Sequence, residues 1–387
     1  MTSNPFDDPG LAKRHRKALR FKRLTQLCIA VTMGFLLFFL FDMGRTAFPA
    51  LWQTYVKVAV TYDETSTRFT SRAVDKDARV LVSRAWLRTI PQKVEADPSL
   101  MDTSKAQWVL ANDQVDQYVK GHYNTLKDDE IALVNSFQEQ GRIDLQWNTL
   151  FFSRGDSKIP EYAGILSAIV GSIFTLLVTM ALAFPLGVAT AVYLEEFARD
   201  NRFTRFVEVN INNLAAIPSI LFGLLGLSVF INLFGLPRSS PLVGGMTLAL
   251  MTLPIIIVSS RAALRSVPAS IRQAGYGLGL SRQDIVKDHV LPVAMPGVLT
   301  GSIIGLAQAM GETAPLIIIG MIAFIPDAPG SFTEAATVLP AQIFTWSGMP
   351  ERAFVEKTAA GIMVILFVLV ALNAAAIYLR KKYEIKW

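Results

Sequence analysis

Cysteine is almost missing from this sequence of 387 residues, which contains only Cys28. A single cysteine excludes an intrachain disulfide framework and a cysteine zinc cluster. The three histidines, His15, His122 and His289, lie far apart in the sequence, so no metal site is predicted. The sequence also lacks a G-x-x-x-x-G-K-[ST] loop, so it predicts neither a nucleotide site of that kind nor any cofactor.

Charged residues are scarce as well, at 18% of the chain, while 52% of the residues are hydrophobic. The apolar residues are concentrated in long blocks with almost no charge, which is typical of membrane helices. Pro185, Pro218, Pro254 and Pro315 lie inside these blocks and predict kinks. Six membrane-spanning segments are predicted, at about 24–41, 162–194, 211–234, 242–260, 296–325 and 358–379.

The basic residues indicate how the segments are oriented. Residues 1–23 carry seven Lys or Arg residues and precede the first apolar segment. This segment is longer than a signal-peptide core and has no small-residue cleavage site, so an uncleaved first helix at 24–42 is predicted. The polar stretches 195–210, 261–295 and 380–387 also contain Arg and Lys, which places both termini in the cytoplasm by the positive-inside rule. The net charge of +6 therefore reflects orientation, and no nucleic-acid partner is predicted.

Residues 43–158 differ from the rest of the chain because they are mostly polar, with many charges of both signs. This length can form a small core. Strands are predicted at 56–62 and 143–147, and helices at 105–120 and 129–140. We therefore expect a small α+β insertion on the periplasmic side, with an extended polar loop lying on a partner subunit as the alternative.

A second polar stretch, 261–296, lies between two apolar segments and is too patterned to be a simple connector. Pro268 suits a first helical turn, and Ser266 could cap it. Gly277 and Gly279 should end this helix, and Ser281 could begin another. The pattern predicts a rigid cytoplasmic protrusion that docks on a partner supplying energy.

This stretch resembles the cytoplasmic signature of ABC-importer permeases, which begins Glu-Ala-Ala, continues to a glycine and ends Ile-x-Leu-Pro. The matching positions are Ala274, Gly279, Leu291 and Pro292, and the departures are Gln273, Gly275 and His289. The resemblance implies that 266–292 couples the chain to cytoplasmic ATPases. Because the glutamate is replaced by Gln273, an ion pair to the ATPase at that position is not expected.

A second resemblance concerns the substrate. The sequences Gly-Glu-Thr-Ala-Pro-Leu at 311–316 and Leu-Pro-Ala-Gln-Ile-Phe at 339–344 are similar to those of phosphate-importer permeases of the PstA type. The similarity covers roughly residues 160–380 and implies an all-α polytopic permease core, 159–387, of the ABC type I importer fold. It further implies a second, similar permease, two cytoplasmic ATP-binding subunits, a periplasmic phosphate-binding protein and a place among the lipids of the bacterial inner membrane.

Glu312 is the deepest charge in the apolar segments. A charge there costs several kcal/mol unless it is paired or hydrated, so it is a candidate for the substrate pathway. Its neighbours Gly311 and Pro315 predict a helix break whose N–H groups can face an anion. We expect Glu312, Thr313 and Gln308 to belong to this pathway; family members often carry a basic residue at the position of Gln308.

The role of Glu312 has several readings. A carboxylate can accept a hydrogen bond from phosphate that still carries a proton, which sulfate lacks at neutral pH. Alternatively, Glu312 pairs with an arginine of a partner subunit, or it is a structural residue that fixes the helix break.

Three other functions compete with a phosphate permease. One is a permease for another oxyanion, molybdate or sulfate, against which the 311–315 sequence argues. Another is a membrane-anchored sensor, which usually needs one or two spans rather than six. A membrane-embedded enzyme would require clusters of catalytic residues in the apolar segments, and only Glu312 stands out there.

Overall fold

The computed structural model describes residues 9–322 and 324–383. The chain begins with one long helix, α1 (Pro9–Ala47), which continues into a 3-10 turn at Phe48–Leu51. It contains the predicted first span, and none of its most apolar window is buried against the rest of the chain. Of the predicted cytoplasmic termini, residues 1–8 and 384–387 lie outside the described part.

The insertion contains an antiparallel sheet with strands β1 (Trp52–Tyr62), β2 (Thr103–Leu110) and β3 (Ile143–Trp147), in the order β2-β1-β3. Alternate residues of β1, including Val56, Val58 and Val60, form its core with surrounding helices. The strands predicted at 56–62 and 143–147 and the helix at 129–140 are confirmed. The helices are α2 (Glu64–Arg68), α3 (Arg84–Leu87), α4 (Ile90–Ala96), α5 (Asp113–Val119), α6 (Asp128–Glu139) and α7 (Thr149–Ser153).

The helix predicted at 105–120 is wrong in its first half. Residues 103–110 form β2, with Trp108 opposite Lys57 of β1, and the helix α5 begins only at Asp113. Val109 and Leu110 are buried at the end of the strand. Pairing with β1 therefore decides the local structure, because strand preference depends on neighbours across the sheet more than on the segment itself.

The membrane part follows as a set of longer helices, in which α8 packs against α11 and α11 against α14. Among the described residues, five helices are long and apolar enough to span a bilayer, and a bent pair makes six if it counts as one span. The helices are α8 (Leu166–Val192), α9 (Arg202–Ala215), α10 (Ser219–Leu225), α11 (Pro241–Arg265), α12 (Ala269–Gly277), α13 (Arg282–Asp284), α14 (Leu291–Gly311), α15 (Ala314–Ile318), α16 (Leu339–Ser347) and α17 (Ala353–Tyr383). Three π-helical segments extend α8, α10 and α13, at Tyr193–Phe197, Gly226–Leu233 and Ile285–Val290 respectively.

The span predicted at 211–234 is not one straight helix. The chain turns by 104° between α9 and the α10 helix with its π-helical extension. The break falls at the residues before Pro218, where a proline disfavours a helical predecessor. The start of the predicted span belongs to α9, an amphipathic helix with exposed Phe203 and Phe206.

The span predicted at 296–325 also ends early, because α14 stops at Gly311. The described residues between the short α15 and α16 form no helix or strand. Ala323 lies outside the described residues. Leu242 N donates to Phe332 O (2.9 Å) and Ser239 Oγ donates to Gly320 O (2.7 Å), so this segment packs on the first turn of α11 and on the loop before it.

Buried polar contacts join the insertion to the membrane part. Lys120 Nζ lies 2.7 Å from Asp116 Oδ2 and 3.0 Å from Glu356 Oε2 at the start of α17. In the same region, Ser83 Oγ donates to Glu161 Oε1 at 2.6 Å, and Glu161 lines one small cavity with Lys120 and Glu356. The insertion is therefore held at one end of the helices, which we call the insertion end; the opposite end, which carries α12, is the coupling end.

Candidate coupling segment and substrate pathway

The segment between α11 and α14 forms a helix–turn–helix. The helix α12 ends at Gly277, Gly279 adopts φ +77°, and Ser281 caps α13 by accepting a hydrogen bond from Asp284 N at 3.3 Å. A positive φ is the conformation that glycine allows at little cost. The predicted end of the helix at Gly277 and Gly279 and the predicted cap at Ser281 are confirmed.

The predicted start of this helix is two residues too early. Pro268 is itself the cap, with φ −56° and ψ 139°, and α12 begins at Ala269. Ser266 ends the preceding helix, α11, and its hydroxyl donates to Ala263 O at 2.7 Å. The Ser266 hydroxyl therefore stabilises the end of α11 and does not cap α12.

The departure at Gly275 has a structural reason. Gly275 is buried against the π-helical segment, and a Cβ at this position would lie 2.6 Å from Ile285 Cγ1. Alanine would force the two elements apart. The glycine thus lets α12 pack closely on the segment that leads into α14.

The predicted coupling residues lie on different surfaces of the protrusion. Gln273 and Ala274 are exposed, Leu291 and Pro292 are half-buried at the start of α14, and Gly279 is exposed in the turn. Tyr276 and Leu278 extend the exposed surface, and Leu278 is 80% exposed. The protruding turn therefore presents an exposed apolar side chain.

Arg272 is a central residue of this region that sequence reasoning missed. Its guanidinium pairs with the buried Glu196 at the end of α8 and donates to two carbonyl oxygens at the end of α11. The distances are 2.9 Å from Nη1 to Val267 O and 3.0 Å from Nη2 to Leu264 O. One side chain thereby joins α12, α8 and α11.

A neighbouring ion-pair cluster extends this connection. Arg265 Nε lies 2.9 Å from Glu195 Oε1, and Arg261 pairs with both Glu195 and Glu208. The adjacent Glu195 and Glu196 at the end of an apolar helix were a usable signal, because three arginines on 261–272 could complement them.

Glu312 lies at a break between two helices, as predicted. It follows the last residue of α14 with φ −77° and ψ 124°, and α15 begins two residues later. The side chain is half-buried, and its carboxylate has no ion pair or hydrogen bond to any residue that the structure describes. The reading of Glu312 as a residue that fixes the break by its own hydrogen bonds therefore has no support within this part of the chain.

The other two predicted pathway residues lie on either side of this position. Thr313 is the residue before α15, and its carbonyl accepts from Ile317 N at 3.1 Å. Gln308 is exposed one turn earlier on α14. No group of His, Cys, Asp and Glu residues in 9–322 and 324–383 has the geometry of a metal site.

A family model matches most of the membrane part of the chain. The family model described as "Binding-protein-dependent transport system inner membrane component" matches residues 183–384, and the chain belongs to this family. The chain is thus a multi-pass membrane subunit of a transport system. A model for a domain of unknown function, DUF3333, matches residues 8–69 and 64–128.

Several curated proteins are similar to this chain. It is 31% identical over 224 residues to the phosphate transport system permease protein PstA 1 of Mycobacterium tuberculosis, which covers 57% of this chain and 73% of that protein. The PstA protein of Mycobacterium leprae is 33% identical, over 54% of this chain and 68% of its own length. The probable ABC transporter permease protein YqgI of Bacillus subtilis is 34% identical, over 43% of this chain and 56% of its own length.

Among solved structures, a chain of the MetNI methionine ABC transporter is 18% identical, with a TM-score of 0.44. The alignment covers 57% of the present chain and 97% of that chain.

Proposed function

We propose that this chain is a permease subunit of an ATP-driven phosphate importer. The observation that carries the proposal is the Glu312 carboxylate at a helix break, inside the region that matches the transport family, with no ion pair or hydrogen bond to the described residues. Similarity to two mycobacterial PstA proteins supports phosphate as the substrate.

Glu312 would act by accepting a hydrogen bond from the substrate. A carboxylate repels a fully ionised anion, but it stabilises a phosphate that still carries a proton. The helix break contributes free backbone N–H groups at the start of α15, which favour negative charge. Thr313 and Gln308 offer uncharged polar groups on either side.

The pathway would be completed by a second, similar permease, and the pair would dock on two cytoplasmic ATP-binding subunits. The exposed surface of Gln273, Ala274, Tyr276 and Leu278 is the part of this chain that would meet an ATPase. The helix α12 would pass the movement on through Arg272, because this side chain ties it to the ends of α8 and α11.

The remaining features concern location and partners. The coupling end would face the cytoplasm together with both termini, in the bacterial inner membrane, and a periplasmic phosphate-binding protein would deliver the substrate at the insertion end. The chain has no G-x-x-x-x-G-K-[ST] loop, so ATP hydrolysis would belong to the partner subunits.

Radiolabelled phosphate uptake in a strain lacking the gene tests this function. Restoring the wild-type gene should restore uptake, and unlabelled phosphate should compete better than sulfate or molybdate. The Glu312→Gln variant should assemble at the wild-type level and lose uptake, because the amide cannot replace the carboxylate as an acceptor of equal strength.

Glu64→Gln is the matched control, since the Glu64 side chain is 75% exposed in the insertion and should not affect uptake. Wild-type uptake by an assembled Glu312→Gln complex would contradict the role of Glu312. Loss of molybdate or sulfate uptake instead of phosphate uptake in the deletion strain would contradict the substrate.

A further inference from the structure

A row of apolar side chains is exposed where the insertion meets α1 and α17. We call this row the aromatic edge; its members are between 37% and 61% exposed. They are Phe48, Trp52, Leu145, Trp147 and Phe152. Large exposed apolar patches on a folded domain mark a surface that contacts something other than water.

The aromatic edge is a continuous and ordered surface. The rings of Trp52 and Trp147 meet edge to face with centroids 5.8 Å apart, and Trp147 stacks on Phe152 at 6.3 Å. Phe152 in turn meets the fully buried Phe151 at 5.0 Å, and Phe151 packs on Trp346. The exposed rings are therefore anchored in the core of the protein.

The depth of the aromatic edge can be read from α17. Phe48 and Phe152 line a groove of about 320 Å³ together with Met363, Val364 and Phe367 of α17. These α17 residues belong to the uncharged stretch 358–379, which at ~1.5 Å per residue is about as long as the hydrocarbon core is thick. Phe48 and Phe152 thus lie level with a part of α17 that crosses the bilayer.

Buried polar contacts hold the insertion against the start of α17. Lys120 of the insertion is buried between Asp116 and Glu356, and Glu356 lies only seven residues before Met363 on the same helix, α17. Gln53, next to Trp52, donates to Glu161 O at 2.8 Å. The contacts that hold the insertion therefore also hold the aromatic edge at bilayer depth.

We propose that the aromatic edge lies in the bilayer interface on the side of the insertion, so that the insertion rests on lipid. Tryptophan suits this zone because it has a large apolar body and a polar N–H group. The edge is continuous with the apolar groove between α1 and α17, two helices that are long and apolar enough to span a bilayer, and this continuity favours lipid over a protein partner. This inference does not depend on the transported substrate.

Trp108 provides a matched control within the same sheet. Trp108 is 38% exposed, a fraction similar to that of Trp52. It pairs with Lys57 of β1 and therefore lies on the face of the sheet that does not carry Trp52. Successive residues of a strand point to opposite faces, so the two tryptophans face different surroundings. Position 108 should lie in water.

Spin labels can measure the depth of both positions in the full-length chain. Cys28 is the sole cysteine, so Cys28→Ser provides a background for Trp147→Cys or Trp108→Cys. The labelled chain is placed in phosphatidylcholine nanodiscs, alone and with cysteine-free partner subunits. Collision with oxygen should exceed collision with a water-soluble nickel complex at position 147, and the order should reverse at position 108.

A second measurement keeps the native side chains. Phosphatidylcholine brominated near the headgroup end of its acyl chains should quench part of the tryptophan fluorescence. Trp147→Phe should remove part of this quenching, whereas Trp108→Phe should leave it unchanged.

Three results would overturn the proposal. A label at 147 that is as accessible to nickel as the label at 108 would place the aromatic edge in water. A label reached by neither probe in the assembled transporter would mean that a protein subunit covers it. Unchanged bromolipid quenching after Trp147→Phe would remove the assigned lipid contact.

Discussion

The buried side chain of Asp156, in the insertion, makes the stability of the protein depend on pH. Its Oδ1 accepts a hydrogen bond from the Trp346 indole at 2.8 Å, and the residue is almost fully buried. Burial raises the pKa of Asp156 to about 6, although the Trp346 hydrogen bond and the charge of Lys357 both act to lower it. Folding therefore favours the protonated acid.

The sign of the resulting pH dependence follows from linkage. Because the pKa of Asp156 is higher in the folded chain than the ordinary 3.8, this group favours folding most strongly at low pH. The contribution is lost as the pH rises from about 4 through about 6. Above that range the buried carboxylate lowers the free energy of unfolding by about 3 kcal/mol.

Asp156→Asn should accordingly stabilise the protein at neutral pH. Asparagine keeps an acceptor for Trp346 but carries no charge, so we expect a higher Tm in detergent near pH 7.5 and little change near pH 4. Asp200→Asn is the control, because Asp200 is 86% exposed and should leave Tm unchanged at both pH values. If the Tm of the Asp156→Asn chain changes with pH in the same way as the Tm of the wild type, this account is ruled out.

At the scale of elements, α12 is positioned by a side chain rather than by its own packing alone. Arg272 bonds to Glu196 of α8 and to two carbonyl groups at the end of α11. A charge-assisted hydrogen bond of this kind contributes ~1.5–3 kcal/mol. Most outward residues of α12 make no comparable contact, so Arg272 decides where the exposed surface points.

Arg272→Gln should uncouple ATP hydrolysis from transport in the reconstituted complex. If α12 docks on an ATPase as proposed, it would still do so without the guanidinium but would no longer pull on α8 and α11. We expect ATPase activity to persist while phosphate taken up per ATP falls by about tenfold or more, as loss of ~1.5–3 kcal/mol implies. Arg272→Lys should restore little of the phosphate uptake per ATP, since an ammonium group cannot bond to Glu196 and to both carbonyl oxygens together.

Arg205→Gln is the matched control, because the Arg205 side chain is 71% exposed and its ion pair is with the exposed Asp200. A normal ratio of uptake to hydrolysis in Arg272→Gln would show that the contact does not transmit movement. Loss of assembly, measured by copurification of the subunits, would instead make Arg272 a purely structural residue.

Much of this architecture could be predicted from local pattern, and the exceptions have physical causes. The turn at Gly279, the cap at Ser281 and the break at Glu312 follow from residues that act on their own backbone. The strand at 103–110 could not be predicted in this way, because its pairing with β1 depends on residues about fifty positions away. The contacts of Arg272 join three elements, and no local pattern distinguishes Arg272 from the other arginines of this stretch.

At the scale of the whole molecule, the insertion and the membrane part share a buried charged interface. Lys120 is 8% exposed and lies between Asp116 and Glu356, and His122 Nδ1 lies 2.8 Å from Glu356 Oε1. Burying charges is costly unless they remain paired. The position of the insertion on α17 therefore depends on these partners staying together.

Lys120→Met should loosen the insertion from the membrane part. It leaves two carboxylates buried with fewer partners, at a cost of about 3–5 kcal/mol. We expect faster cleavage of the insertion in limited proteolysis and a lower Tm. Arg68→Met removes a pair with the same spacing along a helix, but both of its side chains are more than 70% exposed, so its effect should be below about 0.5 kcal/mol. Equal effects of the two substitutions would argue against a buried interface.

The break after α14 also determines whether the surface around it can contact lipid. Gly311 is exposed, and nothing lies within 4 Å of the position that a Cβ would occupy there. The end of α14 and the start of α15 leave carbonyl and N–H groups without partners inside their own helices. Hydrocarbon cannot hydrogen-bond them, so such backbone is tolerated only against other protein or in a hydrated cavity. The surface around Gly311 is therefore closed to acyl chains, and it marks a strip along which the membrane part must meet water or another subunit.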